Sequence, residues 1–246
     1  MRKFGLIGHP LSHSFSKQYF EDKFQKESLS NCSYSLFDIE KIDEIIKLRQ
    51  SEPSLSGLNV TIPYKQSVIP FLDVVSEQAK EVGAVNTIKI KDGKWIGYNS
   101  DIYGFYKTLL PLLKQENNAA LILGTGGASL AVKYVLKSLK IPYYMVSRNE
   151  EEGCLTYDQI NKSILLSYNI LINTTPLGMF PHALAMPEIP FHFVNQAHIF
   201  YDLIYNPQLT MFLRKAQEKG CIVKNGLEML QLQAEKSWDI WNENLY

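Results

Sequence analysis

The sequence predicts an α/β fold with mostly parallel sheets, divided into two units. Three observations carry that expectation. Short apolar runs alternate with helical patterns almost throughout, from Phe4–Ile7 to Gly226–Trp241. A single strong hairpin signal, Asp92-Gly93, marks the one expected antiparallel feature. A buried apolar strand, Ala119–Leu123, runs straight into a glycine-rich turn and then into an amphipathic helix.

In order, Phe4–Ile7 is a first strand, followed by a serine-rich turn and a helix from about Ser16. Cys32–Phe37 alternates as a strand does, and Ile39–Gln50 places Ile42, Ile45, Ile46 and Arg49 at helical spacing. Leu58–Ile62 is a strand closed by Pro63, and Ala84–Ile90 and Lys94–Tyr98 flank the hairpin turn. A second unit begins near residue 101 with a helix over Ile102–Lys114 and a polar break at Gln115–Asn118. After Ala119–Leu123 come the helix Ser129–Leu139 and strands at Tyr143–Val146, Asn169–Ile172, Ile199–Leu203 and Cys221–Val223. Gly226–Trp241 is a long final helix, expected to return to the first unit. The units are therefore residues 1–101 with 230–246, and residues 102–229.

Composition narrows the function. The 246 residues are 46% hydrophobic, enough to bury a substantial core without staples. Lys plus Arg and Asp plus Glu are 25 each, and a net charge of zero argues against a nucleic-acid or anionic-membrane partner. The three cysteines, Cys32, Cys154 and Cys221, are widely spaced with no CxxC pair, so neither a disulfide framework nor a cysteine zinc site is expected. His182, His192 and His198 lack the spacing of a metal site. The opening apolar run is too short for a signal-peptide core, and no stretch approaches a membrane span, which points to the cytoplasm.

The most local chemical signal is Gly124-Thr125-Gly126-Gly127-Ala128. Glycines there let the backbone approach a pyrophosphate, whose charge faces the free N–H groups of the following helix. The third glycine place of that motif holds Ser129, and a tight turn without a ligand would have the same sequence. At the tip of the next strand, where an NAD site carries an acid, stand Ser147-Arg148-Asn149. A guanidinium there suits the 2′-phosphate of NADP, although Glu150-Glu151-Glu152 follow.

The first unit concentrates neutral hydrogen-bonding residues at strand ends: Ser14, Ser16, Asn59, Thr61, Asn86 and Asn99, with Lys65 and Asp101 beside them. Each has a structural alternative, such as Ser16 as a helix N-cap or Lys65 as a solvated charge. Together they suit a polyhydroxylated small molecule in an α/β crevice. Lys65 and Asp101 are the acid–base candidates, because ketone reduction builds negative charge on oxygen.

These motifs together resemble the shikimate dehydrogenase family. The resemblance runs through Gly8-His-Pro-Leu-Ser-His-Ser-Phe-Ser16, Gly57-Leu-Asn-Val-Thr-Ile-Pro-Tyr-Lys65, Gly83-Ala-Val-Asn-Thr87 and Gly97-Tyr-Asn-Ser-Asp101. It continues through Gly124–Ser129, Asn173–Met179, Tyr201–Pro207 and Gly226–Ala234, in the family's order and over almost the whole chain. It implies a substrate domain, a Rossmann-like NADP domain, a cleft between them, and reduction of 3-dehydroshikimate to shikimate by NADPH. It implies substrate contacts from Ser14, Ser16, Asn59, Thr61, Lys65, Asn86, Asp101, Tyr205 and Gln233. Cofactor contacts would come from Gly124, Thr125, Gly126, Gly127, Ala128, Ser147, Arg148, Asn149, Thr174, Leu203, Gly226 and Glu77. The partner is then a small molecule, with no metal, and the protein a monomer or homodimer. The chain departs from the family after Arg148, where a second basic residue is missing and Thr156–Leu166 is reached without the extra helix and strand material that the family usually carries there. Two alternatives stay open: a quinate/shikimate dehydrogenase using NAD, and a non-catalytic homologue that senses the metabolite.

Overall fold

Each of two sheets lies in its own unit of the computed structural model, which describes residues 1–11, 14–113 and 118–243. One unit is Met1–Ser100 with the chain from Ala234 onward, and the other is Asp101–Gln233. The first contains β1 (Arg2–Gly8), α1 (Phe15–Lys26), β2 (Cys32–Asp38), α2 (Ile45–Ser51), β3 (Leu55–Val60), β4 (Val74–Val75), α3 (Glu77–Val82), β5 (Thr87–Lys91) and β6 (Lys94–Tyr98). The second contains α4 (Asp101–Leu109), β7 (Ala120–Leu123), α5 (Gly127–Ser138), β8 (Tyr143–Ser147), β9 (Cys154–Thr156), α6 (Lys162–Ser167), β10 (Ile170–Asn173), β11 (Ile199–Asp202), α7 (Met211–Glu218) and β12 (Ile222–Lys224). Helix α8 (Leu227–Asn242) starts in the second unit and ends in the first.

In the first unit the strand order is β2-β1-β3-β5-β6-β4. β1 pairs parallel with β2 and β3, placing the reversal of strand order between β1 and β3. The hairpin turn forms as expected, with Asp92 and Gly93 both left-handed at φ 52° and 74°. It is not the only antiparallel feature, because β5 also runs antiparallel to β3. That pairing is non-local and leaves no mark in a local pattern. The expected helix over Ile39–Gln50 is a 3₁₀ turn at Ile42–Glu44 followed by α2. The two faces of β1 are both covered: Phe4 and Leu6 face a cluster containing Phe20, Phe24, Tyr34 and Trp241, whereas Ile7 joins Ile45, Leu58, Val68 and Ile88. Trp241, from the end of α8, stacks on Phe4 at 4.7 Å and donates its indole N–H to the Ile88 carbonyl at 3.0 Å.

The second sheet has the order β12-β11-β10-β7-β8-β9, parallel at every pairing. β7, β10 and β11 are buried along their whole length, which is why, up to Asn173 and Asp202 at the ends of β10 and β11, their sequences are apolar runs rather than alternations. The strand order reverses between β7 and β10. The edge strand β9 follows β8 with no helix between them. A tight turn from Glu151 to Cys154, with Gly153 at φ 76°, feeds this three-residue edge strand directly and replaces a crossover helix. The short helices α3, α6 and α7 and the two-residue β4 are additions to the pattern read from the sequence. Lys114 and Gln115–Asn117, where the sequence suggested a helix end and a polar break, lie outside the described residues.

At the end of β11, the buried Asp202 ties three segments together. Its carboxylate accepts hydrogen bonds from Asn173 on β10 (3.0 Å), the Ile204 N–H (3.0 Å) and the Thr210 hydroxyl (2.6 Å). Burial nevertheless dominates and pushes its pKa up to about 6, and the hydrogen bonds only oppose that rise.

Two predictions follow from this packing. A Cβ on Gly57 would lie 2.3 Å from the buried Trp241 indole nitrogen, so Gly57→Ala forces the ring out of its site. Overpacking of this kind costs about 1–3 kcal/mol. Urea denaturation checks it, and a loss under about 0.5 kcal/mol would show that the ring yields freely. Asp202 is a carboxyl whose folded pKa lies above its unfolded value of 3.8, so its contribution is fully present at low pH and is lost as pH rises from about 4 through about 6. The loss is about 3 kcal/mol for a shift of roughly two pK units. The stability gap between wild type and Asp202→Asn should narrow by about that amount from pH 4 to pH 7, and a gap independent of pH would contradict the assignment.

Candidate active site

In the first unit the register brings the polar strand ends to one edge of the sheet. Ile7 near the end of β1 pairs with Val60 at the end of β3, and Asn59 pairs with Thr87 where antiparallel β5 begins. Thr87 in turn pairs with Tyr98, so Asn99 and Ser100 leave β6 at the same edge. The loops after β1 and β3 sit at the reversal of strand order, where an α/β sheet opens a crevice. Asp38 anchors the first of them, accepting from the Leu11 N–H at 3.0 Å and bonding His9 at 2.6 Å. These contacts, the Leu11 N–H foremost, hold its carboxyl below the usual range. The second loop is held by the Thr61 N–H on the Ile7 carbonyl (2.9 Å) and by the Val85 N–H on the Lys65 carbonyl (2.7 Å). The Lys65 backbone is thereby fixed one residue away from Asn86.

Beneath this edge lies a buried polar network that reasoning from sequence missed in part. Asn59 donates to the Ser237 hydroxyl at 2.9 Å and accepts from the Tyr34 hydroxyl at 2.8 Å. Asn86 donates to the Ser100 hydroxyl at 3.0 Å and accepts from the Ser100 N–H at 2.7 Å. Ser237 also meets Thr87 at 2.8 Å and Ser100 at 3.0 Å. Tyr34 additionally shares a hydrogen bond with Ser16, and burial raises its phenol well above the ordinary value. Ser14, not Ser16, caps α1, accepting from the Lys17 N–H at 3.4 Å, so Ser16 is released to Tyr34. Of the opening motif, Ser12 and His13 lie outside the described residues. Ser237 had one legible signal: it falls four residues after Gln233, on the same stripe of the final helix.

In the second unit Asp101 is buried as the first residue of α4. One turn on, a Cβ on Gly104 would meet the Met229 carbonyl at 2.6 Å and the Gln233 Cβ at 3.3 Å. That close approach puts the Asp101 face of α4 beside the buried Gln233. Tyr205 is half-buried, which raises its phenol pKa. Leu203 backs onto Gly226, where a Cβ would lie 2.0 Å from the Leu203 carbonyl oxygen, so only glycine fits. Glu77 heads α3 in the first unit, exposed and paired with Lys80 at 2.8 Å.

The glycine-rich turn has the shape a pyrophosphate requires. Gly124 lies at φ 104°, and a Cβ there would strike Thr175 at 2.8 Å. Gly126 is the N-cap of α5, and nothing stands within 4 Å of where its Cβ would be. Ser129 fills the third glycine place by turning its hydroxyl back onto the Gly126 carbonyl at 2.6 Å. Thr174 closes the other side, donating to the Leu123 carbonyl at 2.8 Å. Gly127 and Ala128 open α5, whose N–H groups and dipole favour an anion. A cavity of about 260 Å³ lies over this turn, lined by Gly124, Thr125, Gly126, Ser147, Arg148, Asn149 and Thr174 among the expected residues. Val146, Glu151, Tyr157, Thr175, Pro176 and Leu177 complete it, brought in by turns and strand ends that no glycine motif specifies. The Tyr157 phenol is pushed up to about 12, chiefly by burial. These features fit a dinucleotide.

Among the described residues no cluster of His, Cys, Asp and Glu suits a metal ion, and no helix is long and apolar enough to cross a membrane. The three cysteines are free thiols. His198 is buried, with its ring on the Leu165 carbonyl at 2.9 Å and on Asn195.

Comparison with known proteins shows the family. The family model described as the shikimate dehydrogenase substrate binding domain matches residues 6–88. A relative named shikimate dehydrogenase (NADP(+)), from Clostridium beijerinckii, is 40% identical over 99% of this chain and 93% of its own length. The crystal structure of shikimate dehydrogenase from Aquifex aeolicus superposes with a TM-score of 0.88 at 32% identity, covering 98% of this chain and 92% of that one. The Thermus thermophilus shikimate 5-dehydrogenase, solved in complex with NADP(H) and shikimate, gives 0.87 at 28% identity, covering 98% and 94%. With the motif order, the two strand-order reversals and this full-length identity in agreement, the chain belongs to the shikimate dehydrogenase family.

Proposed function

We propose that this chain is an NADP-dependent shikimate dehydrogenase, reducing the ketone of 3-dehydroshikimate to the alcohol of shikimate and catalysing the reverse oxidation. The observation that carries the reading is the full-length likeness to relatives named for that activity, and the local geometry supports it. We assign residues 1–101 with 230–246 to the substrate and residues 102–229 to NADP. Ser14 and Ser16 then hold the substrate carboxylate, with Tyr205, while Asn59, Thr61, Asn86 and Gln233 meet its hydroxyl groups. Gly124 to Ala128 take the pyrophosphate, and Ser147, Arg148 and Asn149 take the adenosine ribose with its 2′-phosphate. Thr174, Leu203 and Gly226 border the rest of the dinucleotide.

NADPH, when bound, supplies the hydride. The reaction then asks the protein for a proton and for stabilisation of a developing alkoxide. Lys65 donates the proton to that oxygen in reduction and removes it in oxidation. Its positive charge favours the transition state over the neutral ketone. Asp101 accepts a hydrogen bond from a substrate hydroxyl and so fixes the ring in the pose that the chemistry needs. A net charge of zero fits a small-molecule substrate rather than a nucleic acid, and we assign the protein to the cytoplasm as a monomer or homodimer.

Shikimate oxidation followed by NADPH absorbance tests the proposal, with quinate as the competing substrate. Wild type should turn over shikimate with NADP. Lys65→Ala should lower kcat about 10²–10⁴-fold, the weight of a positioned acid–base group, and change KM much less. Binding of shikimate without turnover by wild type would replace the enzyme with a metabolite sensor. A Lys65→Ala enzyme within a few-fold of wild type would remove Lys65 from the mechanism.

A further inference from the structure

We infer that Glu151 is a cofactor-specificity residue that reads the 2′-hydroxyl of NAD and weakens the preference for NADP set by Arg148. The inference rests on the assignment of the second-unit cavity to the dinucleotide. Its observation is separate: the Ser147 hydroxyl donates to the Glu151 carboxylate at 2.7 Å, and both residues line the cavity with Arg148 and Asn149. In a dinucleotide-binding sheet the tip of the second strand is where an acidic side chain takes the ribose hydroxyls of NAD. In this chain that tip, the end of β8, carries Ser147. Glu151 restores a carboxylate to the same place from four residues downstream.

The backbone holds it there. The Cys154 N–H closes a turn onto the Glu151 carbonyl at 3.0 Å, with Gly153 at φ 76°, and β9 begins at once in register with β8. Ser147 also accepts from the Asn149 N–H at 3.2 Å, so the hydroxyl is oriented by the loop it serves. Of the three consecutive glutamates only Glu151 lines the cavity, so the effect is not that of a general acidic surface. Chemically the two readers oppose each other. A 2′-phosphate gains from Arg148 and is repelled by Glu151, whereas a 2′-hydroxyl donates to Glu151 and gains little from Arg148.

Equilibrium titration of NADP and NAD against wild type, Arg148→Ala, Glu151→Gln and Glu152→Gln tests the inference through binding alone. Glu151→Gln should tighten NADP and weaken NAD, each by about threefold to tenfold, the range for a charge-assisted bond at a partly exposed site. Glu152→Gln should leave the ratio of the two Kd values unchanged. A ratio unmoved by Glu151→Gln, or moved equally by Glu152→Gln, overturns the role of Glu151. Arg148→Ala should weaken NADP about tenfold and leave NAD nearly unchanged. If it spares NADP, or weakens both cofactors alike, the cavity's assignment to the adenosine ribose fails instead, whatever Glu151 does.

Discussion

A parallel strand with a neighbour on each side and helices over both faces has only its end left for a ligand. Both sheets obey that constraint, and both contain one place where the strand order reverses: between β1 and β3, and between β7 and β10. At a reversal the two following connections leave in opposite directions, so the strand ends stay uncovered. The candidate site residues concentrate there. Thr61 and Lys65 follow β3 and Ser14 and Ser16 follow β1, while Gly124 follows β7 and Thr174 follows β10.

Holding neutral polar groups at such an edge is costly unless every buried donor and acceptor is matched. The first unit meets that requirement with amides and hydroxyls rather than with ions. Tyr34, Asn59, Asn86, Thr87, Ser100 and Ser237 interlock across β2, β3, β5, the turn after β6 and the final helix, and no buried side-chain polar atom among the described residues is left unpaired. A network of neutral groups avoids the desolvation cost of buried ions and fixes side-chain direction by geometry. The final helix thus has two structural duties, with Ser237 closing the network and Trp241 filling the core four residues later. In the second unit the constraint falls on glycines. Gly124 supplies a left-handed backbone against Thr175, and Gly226 lets its chain press onto the Leu203 carbonyl.

Much of this was legible in the sequence because it is local. The Asp92-Gly93 turn, the apolar runs of β7, β10 and β11, and the strand-turn-helix at Gly124 are each encoded within a few residues, where backbone conformation and burial leave direct marks. Tertiary structure decided what depends on distant partners. Whether Ser14 or Ser16 caps α1 turned on Tyr34, a residue of another strand, which takes the hydroxyl of Ser16. The antiparallel seat of β5 beside β3, the edge strand β9, the insertion of Ser237 beneath Asn59, and the return of Glu151 to Ser147 are through-space pairings. Sequence determined which residue types stand ready for the chemistry, since composition and short-range pattern act on each segment separately. The partner each side chain meets was fixed only when the strands took their register, because hydrogen-bond geometry and close packing depend on distances that no linear spacing contains.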